Sequence, residues 1–399
     1  MAEPMLHEAQ AASHLHPRPS FAVADHPLPG KGVEIWRFTP AEQAMRLVGD
    51  EDDARPLGTE VGPWVEAPGA VAFETLERGQ APWGAVLVPV DRPSALVETK
   101  VRTATLVRLP EGVHLDEPAI VDVRGDGLDR RAYDRVVIEA EPGSSGIVVL
   151  RHTGEARYLA NVEVVAGDEA NLTVVSIQDW ARRSLHAGFT QASVGRDAHL
   201  RHVVVSFGGA FVRLQTNVAY AGPGGTAELF GLYLADAGQY LEHRLFVDQN
   251  APHTTSRVDY RGALAGAGAR TAWVGDVLIR RGAEGVDSYE QNRNLLLSSG
   301  CVADSVPNLE IETGDIVGAG HSSSTGRFDD EQLFYLQSRG IPADQARRLI
   351  VEGFFGDIIR RIGVPDVEER LRQAVSAELD ALEARGSQNH PADKENHHG

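Results

Sequence analysis

Between residues 133 and 320 apolar residues gather in short strand-like runs, with hardly a stretch at helical spacing. DRVVIEAE, SGIVVLRH, NLTVVSIQ, HLRHVVVSF, AELFGLYLA, YLEHRLFV, TAWVGDVLI and NRNLLLS are each of strand length, and Gly, Asn and Asp punctuate them. The openings of three such runs echo one another: GDEANL (167–172), GRDAHL (195–200) and GGTAEL (224–229). Ala170, Ala198 and Ala227 stand 28 and 29 residues apart, and Leu172, Leu200 and Leu229 keep the same steps. A recurring turn followed by an inward apolar residue is what a coil of stacked strands needs, because each rung buries its face only against its neighbours. The pattern predicts a parallel β-helix, although the echo fades after residue 230. A β-sandwich with Greek-key loops would use the same strands.

The flanks follow other rules. Residues 21–132 read as a mixed α+β region, with TPAEQAMRLV as a short helix capped by Thr39 with Pro40 at its first position, and WGAVLVPV and ATLVRLP as strands. From 328 to 385 three helices are expected. FDDEQLFYLQSRG opens on acids suited to a helix N-terminus, places Leu333 and Leu336 on one side and stops at Gly340. In PADQARRLIVEGFFGDIIRRIG an apolar stripe runs through Ala346, Ile350, Phe354, Ile358 and Ile362, widened by Leu349 and Phe355. A third helix carries Val367, Leu371, Val375, Leu379 and Leu382. Adjacent aromatics cannot all face inward from one helix, so some of Phe334, Tyr335, Phe354 and Phe355 are expected to meet a partner. The division is thus a tail (1–20), a mixed region (21–132), a β core (133–327), a helical domain (328–385) and a second tail (386–399), both tails being polar and aperiodic.

Composition narrows the chemistry. The chain has 399 residues, 42% of them apolar, and a formal charge of -19, which opposes a phosphate-tracking surface and makes nucleic acid an unlikely partner. Cys301 is the lone cysteine, so neither a disulfide framework nor a site built from several cysteines of this chain is available. No apolar run approaches the ~20 residues of a membrane span, and the N-terminus lacks the basic start and apolar stretch of a secretory signal; a soluble cytoplasmic protein is expected. GALAGAGART lacks the third glycine of a dinucleotide loop, and there is no G-x-x-x-x-G-K-[ST] or G-x-S-x-G sequence. The chain is therefore expected to be non-catalytic, with any ATP hydrolysis in a partner. Cys301 has no basic neighbour to activate it. His199 and His202 point to opposite faces of one strand, His243 and His253 flank a turn, and Asp329 and Asp330 suit a helix start.

SYEQNRNLLLS (288–298), PNLEI (307–311) and HSSSTGRFDDEQLFYLQSRGI (321–341) together resemble the core of the SufB/SufD family of iron-sulfur cluster assembly proteins, and DQNAPHTTSRVDYRG (248–262) and GVEIWRFTP (32–40) extend the likeness over roughly 30–365. The resemblance implies a right-handed parallel β-helix core with a mixed N-terminal region and a C-terminal α-helical domain. It also implies a cytoplasmic complex in which SufB and SufD pair through their coils and each docks a SufC ATPase on its C-terminal helices; Phe334, Tyr335, Arg339, Phe354 and Phe355 are the expected docking residues. SufB-like proteins carry a Q-C-D stretch where this chain has Gln291, Asn292 and Arg293, and a glutamate after the histidine where it has Ser322; both departures favour SufD. Well-studied SufD proteins have Cys-x-His where this chain has Ala319, Gly320 and His321. By the resemblance, His321 is an iron or cluster ligand at the SufB interface, with softer thiolates from the partner, and the competing role is a structural hydrogen bond. No cofactor is expected to stay on this chain alone; an iron-sulfur cluster would be carried transiently in the complex. The alternatives are a SufB-like homodimeric scaffold and a β-helix enzyme that cleaves acidic polysaccharides, the latter opposed by the missing secretory signal and the helical C-terminus.

Overall fold

The computed structural model describes residues 18–49, 64–66, 71–327, 330–361 and scattered helical positions between 365 and 380. Both expected tails beyond these bounds, together with Asp329, Ile362, Val367, Leu371 and Leu382, lie outside the described residues. The chain begins with helix α1 (Ala41–Val48), strands β1 (Trp64–Glu66) and β2 (Ala72–Glu77), helix α2 (Arg92–Lys100) and strand β3 (Thr103–Leu109). Then follow β4 (Ala119–Ala140), β5 (Ser145–Ala166), β6 (Asn171–Trp180), β7 (Leu185–Val194), β8 (His199–Ser206) and β9 (Phe211–Tyr220). The run continues with β10 (Thr226–Ala235), β11 (Tyr240–Gln249), β12 (Thr255–Leu264), β13 (Arg270–Ile279), β14 (Val286–Leu296), β15 (Val302–Ile311) and β16 (Ile316–Arg327). Two helices, α3 (Asp330–Ser338) and α4 (Ala343–Arg361), close the described order.

Strand β5 pairs with both β6 and β7, and from β6 onward each strand pairs not with the next one but with the next but one, in the order β15-β13-β11-β9-β7-β5-β6-β8-β10-β12-β14-β16. Every ladder from β3 to β16 is parallel, which excludes the antiparallel sandwich and makes a β-solenoid of about eight turns. The echo in the sequence has a backbone cause. Gly143, Glu169, Asp197, Gly224, His253 and Gly285 all hold left-handed φ values at successive turns of one corner. Their amides donate to carbonyls one rung further on, Glu169 to Arg196, Asp197 to Pro223, Gly224 to Pro252 and His253 to Glu284. Asp and Gly tolerate that conformation, so the motif is readable where they recur. Beyond residue 230 the corner persists while its residue types change. The pairing corrects one detail of the echo: Leu172 faces Leu200, but Leu200 faces Ala227, so Leu229 lies against His202. A two-residue offset preserves the face, and all three leucines are fully buried inside the coil.

Inside, rungs interlock by size. In β10 and β12 Gly231 pairs with Tyr260 and Tyr233 with Gly262, so each ring fills the space over its neighbour's glycine. A Cβ on Gly262 would stand 1.9 Å from the Tyr233 ring, and one on Gly231 2.0 Å from the Tyr260 ring. We expect Gly262→Ala to lower stability by ~3 kcal/mol or more by overpacking, read as a lower urea midpoint at unchanged slope.

The N-terminal region covers one outer face of the coil, where Ile35, Trp36, Leu47 and Val97 pack on Leu185, Phe211 and Tyr240. Two expectations fail here. Thr39 does not cap α1, whose N-cap is Pro40; its hydroxyl donates to the buried Glu242 Oε2 at 2.6 Å. WGAVLVPV is not a strand, because the amides of Gly84, Val86 and Leu87 donate to the Glu163 carboxylate at 2.8, 2.6 and 3.1 Å instead of to a ladder. Helix α4 covers the opposite face, setting Val351, Phe355, Ile358 and Ile359 against Val205, Phe230, Leu232 and Leu234. The expected stripe is rotated, with Leu349 half exposed. Residues four apart advance by about 400°, so a run of strict fours drifts around the helix, whereas 351, 355, 358 and 359 hold one side.

Candidate functional site at the open end of the coil

Among the described residues strand β16 has a pairing partner on one side only, and residues 321–327 are exposed. Along it Ala319, His321, Ser323 and Thr325 share the inward face, stacked in register on Ser288, Glu290, Asn292 and Asn294 of β14. The last rung is thus the mouth of the coil, and its inward side chains face outside rather than another rung.

His321 has a half-exposed side chain, and its Nδ1 lies 4.0 Å from Glu290 Oε1. Glu290 is 1% exposed, and the backbone of Asn308 is set against its carboxyl outside ordinary hydrogen-bond geometry. Its pKa is pushed up to about 8, first by burial and then by the negative charge of Asp276. The carboxyl rests against the backbone of Gly275 and the Trp273 ring; a Cβ on Gly275 would stand 2.4 Å from Glu290 Oε2 and 2.4 Å from the indole. Asp276 lies on the other face of β13, where it accepts from Asn308 Nδ2 at 2.7 Å.

Beside this pair the interior is polar and well bonded. Ser323 Oγ donates to Ser305 Oγ at 2.8 Å, Ser305 Oγ to Asn292 Oδ1 at 2.7 Å, and Asn292 Nδ2 to Tyr233 Oη at 2.8 Å. The Tyr233 hydroxyl in turn donates to Asn294 Oδ1 at 2.7 Å. Such a satisfied network fixes the shape of the mouth. Against it, the weakly satisfied Glu290 stands out.

The other residues named from sequence are dispersed. Phe334 and Tyr335 are exposed on α3, and the Arg339 guanidinium lies 4.7 Å over the Tyr335 ring. Phe354 is half-buried, with its carbonyl accepting from Arg261 Nη1 at 2.7 Å, and Phe355 is fully buried under α4. Phe355 therefore holds the helix to the coil and presents no ring to a partner. Cys301 is partly buried in the turn just before β15, its Sγ 3.3 Å from the Gly266 carbonyl oxygen. His199 and His202 do face opposite ways, His199 outward to Glu228 at 2.9 Å and His202 buried inside. His243 is buried and stacked on Tyr233 at 4.8 Å. Among the described residues no three His, Cys, Asp or Glu side chains are grouped to hold a metal ion. Glu290 escaped the sequence reading although it lies in the quoted SYEQNRNLLLS. The signal was there as parity: Ser288, Glu290, Asn292 and Asn294 alternate on the face that β10 fills with Ala227, Leu229, Gly231 and Tyr233.

Comparison with known proteins adds the following. The family described as SUF system FeS cluster assembly, SufBD core domain, matches residues 123–354, more than half of the chain. The chain is 49% identical over 371 residues to the iron-sulfur cluster assembly SufBD family protein Rv1462 of Mycobacterium tuberculosis, covering 92% of this chain and 93% of the relative. It is 46% identical over 374 residues to the SufBD family protein ML0594 of Mycobacterium leprae, with 92% and 95% covered. A more distant relative, the SufBD family protein slr0076 of Synechocystis, is 27% identical over 221 residues, 55% of this chain and 48% of that one. No helix among the described residues is long and apolar enough to cross a membrane.

Proposed function

This chain belongs to the SufBD family of iron-sulfur cluster assembly proteins, and from that premise we propose that it is the SufD-like scaffold subunit of a cytoplasmic assembly complex. In this reading it pairs end strand to end strand with a SufB-like paralogue and docks a SufC-type ATPase on its helical module. The chain itself catalyses nothing; ATP hydrolysis belongs to the partner, and the cluster is cargo held transiently in the complex.

The observation that carries the pairing is the open end. Among the described residues β15 and β16 each have one backbone edge without a pairing partner, and Val302, Ile311 and Val317 stand exposed on them. Bare strand edges with apolar side chains are templates for another sheet. Exposed Phe334 and Tyr335 support docking on α3, since solvent-facing aromatics favour interfaces. The absence of a thiol at Asn292 and of a carboxylate at Ser322 supports the D-type assignment.

Co-expression with the matching B-type and C-type proteins, followed by size-exclusion chromatography under reducing, low-oxygen conditions, tests this; a chain that elutes alone or as a homodimer overturns it. We expect the Phe334→Ala, Tyr335→Ala double variant to lose the ATPase while keeping the paralogue. His321→Ala is expected to leave the complex intact and lower its bound iron and sulfide, and unchanged content would leave His321 a packing role.

A further inference from the structure

Away from the mouth, under the N-terminal region, one buried cation is poorly matched. Arg244 of β11 is 9% exposed, and among the described residues its guanidinium makes a single polar contact, Nη1 to Glu242 Oε1 at 3.5 Å, the outer limit of a hydrogen bond. That carboxylate is already engaged, since it accepts from Thr39 Oγ1 at 2.6 Å and Tyr240 Oη at 2.9 Å and lies 3.5 Å from Arg213 Nε. A guanidinium carries five donors, and burying them unused is costly. Arg244 lines a cavity of about 630 Å³ between residues 18–36, the start of α2 and β11, together with Arg92 and Arg18. Burial falls from Arg244 through half-buried Arg92 to exposed Arg18, so the three cations grade from floor to rim. Arg92 is held in place by the carbonyls of Val48 and Val23 at 3.1 and 3.3 Å. The carboxylates of the lining have other partners: Asp91 takes Arg213 at 2.6 Å and caps α2, Asp25 accepts from Ser20 Oγ at 2.6 Å, and Glu34 lies 3.6 Å from Arg37. The lining thus offers an anion a buried fork of donors.

We propose that this cavity binds a small, non-aromatic phosphate ester of sugar-phosphate size, with its phosphate on Arg244 and Arg92 and its organic part against Pro27 and Val33. Guanidinium forks match phosphate oxygens two at a time. The volume falls in the range of small-molecule sites, about 300–1,000 Å³. Trp36 also borders the cavity, but it is 3% exposed with the Arg213 guanidinium 4.5 Å over its ring, and His26 is equally buried, so neither ring presents a face on which a base could stack. The site is independent of the scaffold reading and of the coil's mouth.

The test titrates the full chain, without partners, with ribose 5-phosphate, inorganic phosphate and AMP, followed by calorimetry. One ribose 5-phosphate per chain is expected. Inorganic phosphate should bind about tenfold more weakly because it does not reach the apolar wall, and AMP should gain nothing from its base. Arg244→Gln is expected to lower affinity about 10- to 100-fold, and Arg18→Glu, an exposed change outside the core, about fivefold. Circular dichroism checks that Arg244→Gln folds as the wild type does; if it does not, Arg18→Glu decides. A wild-type chain that binds no ribose 5-phosphate, or folded variants that bind it as the wild type does, overturns the proposal. Inorganic phosphate binding as tightly as the ester would reduce the cavity to a bare anion seat, and AMP binding more tightly than ribose 5-phosphate would overturn the non-aromatic assignment.

Discussion

Lowering the pH from 7 to 5 is expected to strip ~3 kcal/mol from the folding stability of this chain, most of it through histidines sealed inside the coil. Burial holds His152 and His202 down to about 4 and His243 to about 3, and drives His186 well below its ordinary value, with His152 adding repulsion. Each is neutral in the fold, while in the unfolded chain it takes a proton near pH 6.5. The unfolded state therefore binds more protons between about pH 6.5 and 4, and stability falls with pH across that window. His152, His202 and His243 each contribute a loss of about 1.8 kcal/mol between pH 7 and 5, about 5 kcal/mol together. Glu290 works in the opposite sense. Its folded value of about 8 lies above the ordinary carboxyl value, so the folded state binds the extra proton as pH falls from 8 toward 4.5, and this returns ~2 kcal/mol over the same interval. Asp134, raised by burial, acts in the same direction as Glu290. Urea midpoints at pH 7 and 5 measure the net effect. Glu290→Gln should show the steeper loss of about 5 kcal/mol, and His202→Leu should flatten the wild-type slope by ~2 kcal/mol. His202 is the cleanest probe because burial alone lowers it and its Nδ1 has no partner among the described residues. A wild-type midpoint independent of pH would contradict the buried placement of these rings.

Glu163→Ala is expected to have the largest effect of any single substitution, ~3–5 kcal/mol, because it breaks a buried charge network instead of replacing it. Glu163 is fully buried, pairs with the fully buried Arg135, and accepts three backbone amides from residues 84–87. Arg135 also pairs with Glu98 of α2, and Asn161 Nδ2 bonds the same Glu98 at 2.7 Å. Removing the carboxylate would leave those amides and one guanidinium arm without an acceptor in a dry environment. The urea midpoint should fall, and limited proteolysis should cut first near residues 83–90. Cleavage elsewhere at the wild-type rate would show that Glu163 does not clamp that segment.

Most of the core was legible because parallel stacking leaves local marks. Leu172, Leu200 and Leu229 announced an inward position, and the repeated turn before them announced a corner. What was hidden is what local pattern does not encode. Thr39 reads as a helix cap until Glu242, some two hundred residues later, claims its hydroxyl. WGAVLVPV has strand composition but surrenders its amides to Glu163. Both depend on long-range acceptors. The candidate site was half readable: the motif drew attention to His321, while Glu290 became visible only when the pairing of β14 and β16 set it beneath the histidine. Phe355 looked like its exposed neighbours by composition, and only the rotation of α4 separates its role from theirs.

A stacked coil is stabilised rung by rung, so it need not melt as a unit. The final strand is held by one ladder where interior strands have two, and it gains the least from burial. Opening β16 therefore costs only a fraction of global unfolding, and amide hydrogen exchange should be fastest there and slow progressively toward β10. Such fraying would lift His321 away from Glu290 while leaving the rest of the coil folded. The mouth can then change shape by the breathing of one strand, with the remaining rungs acting as a stationary anvil beneath it.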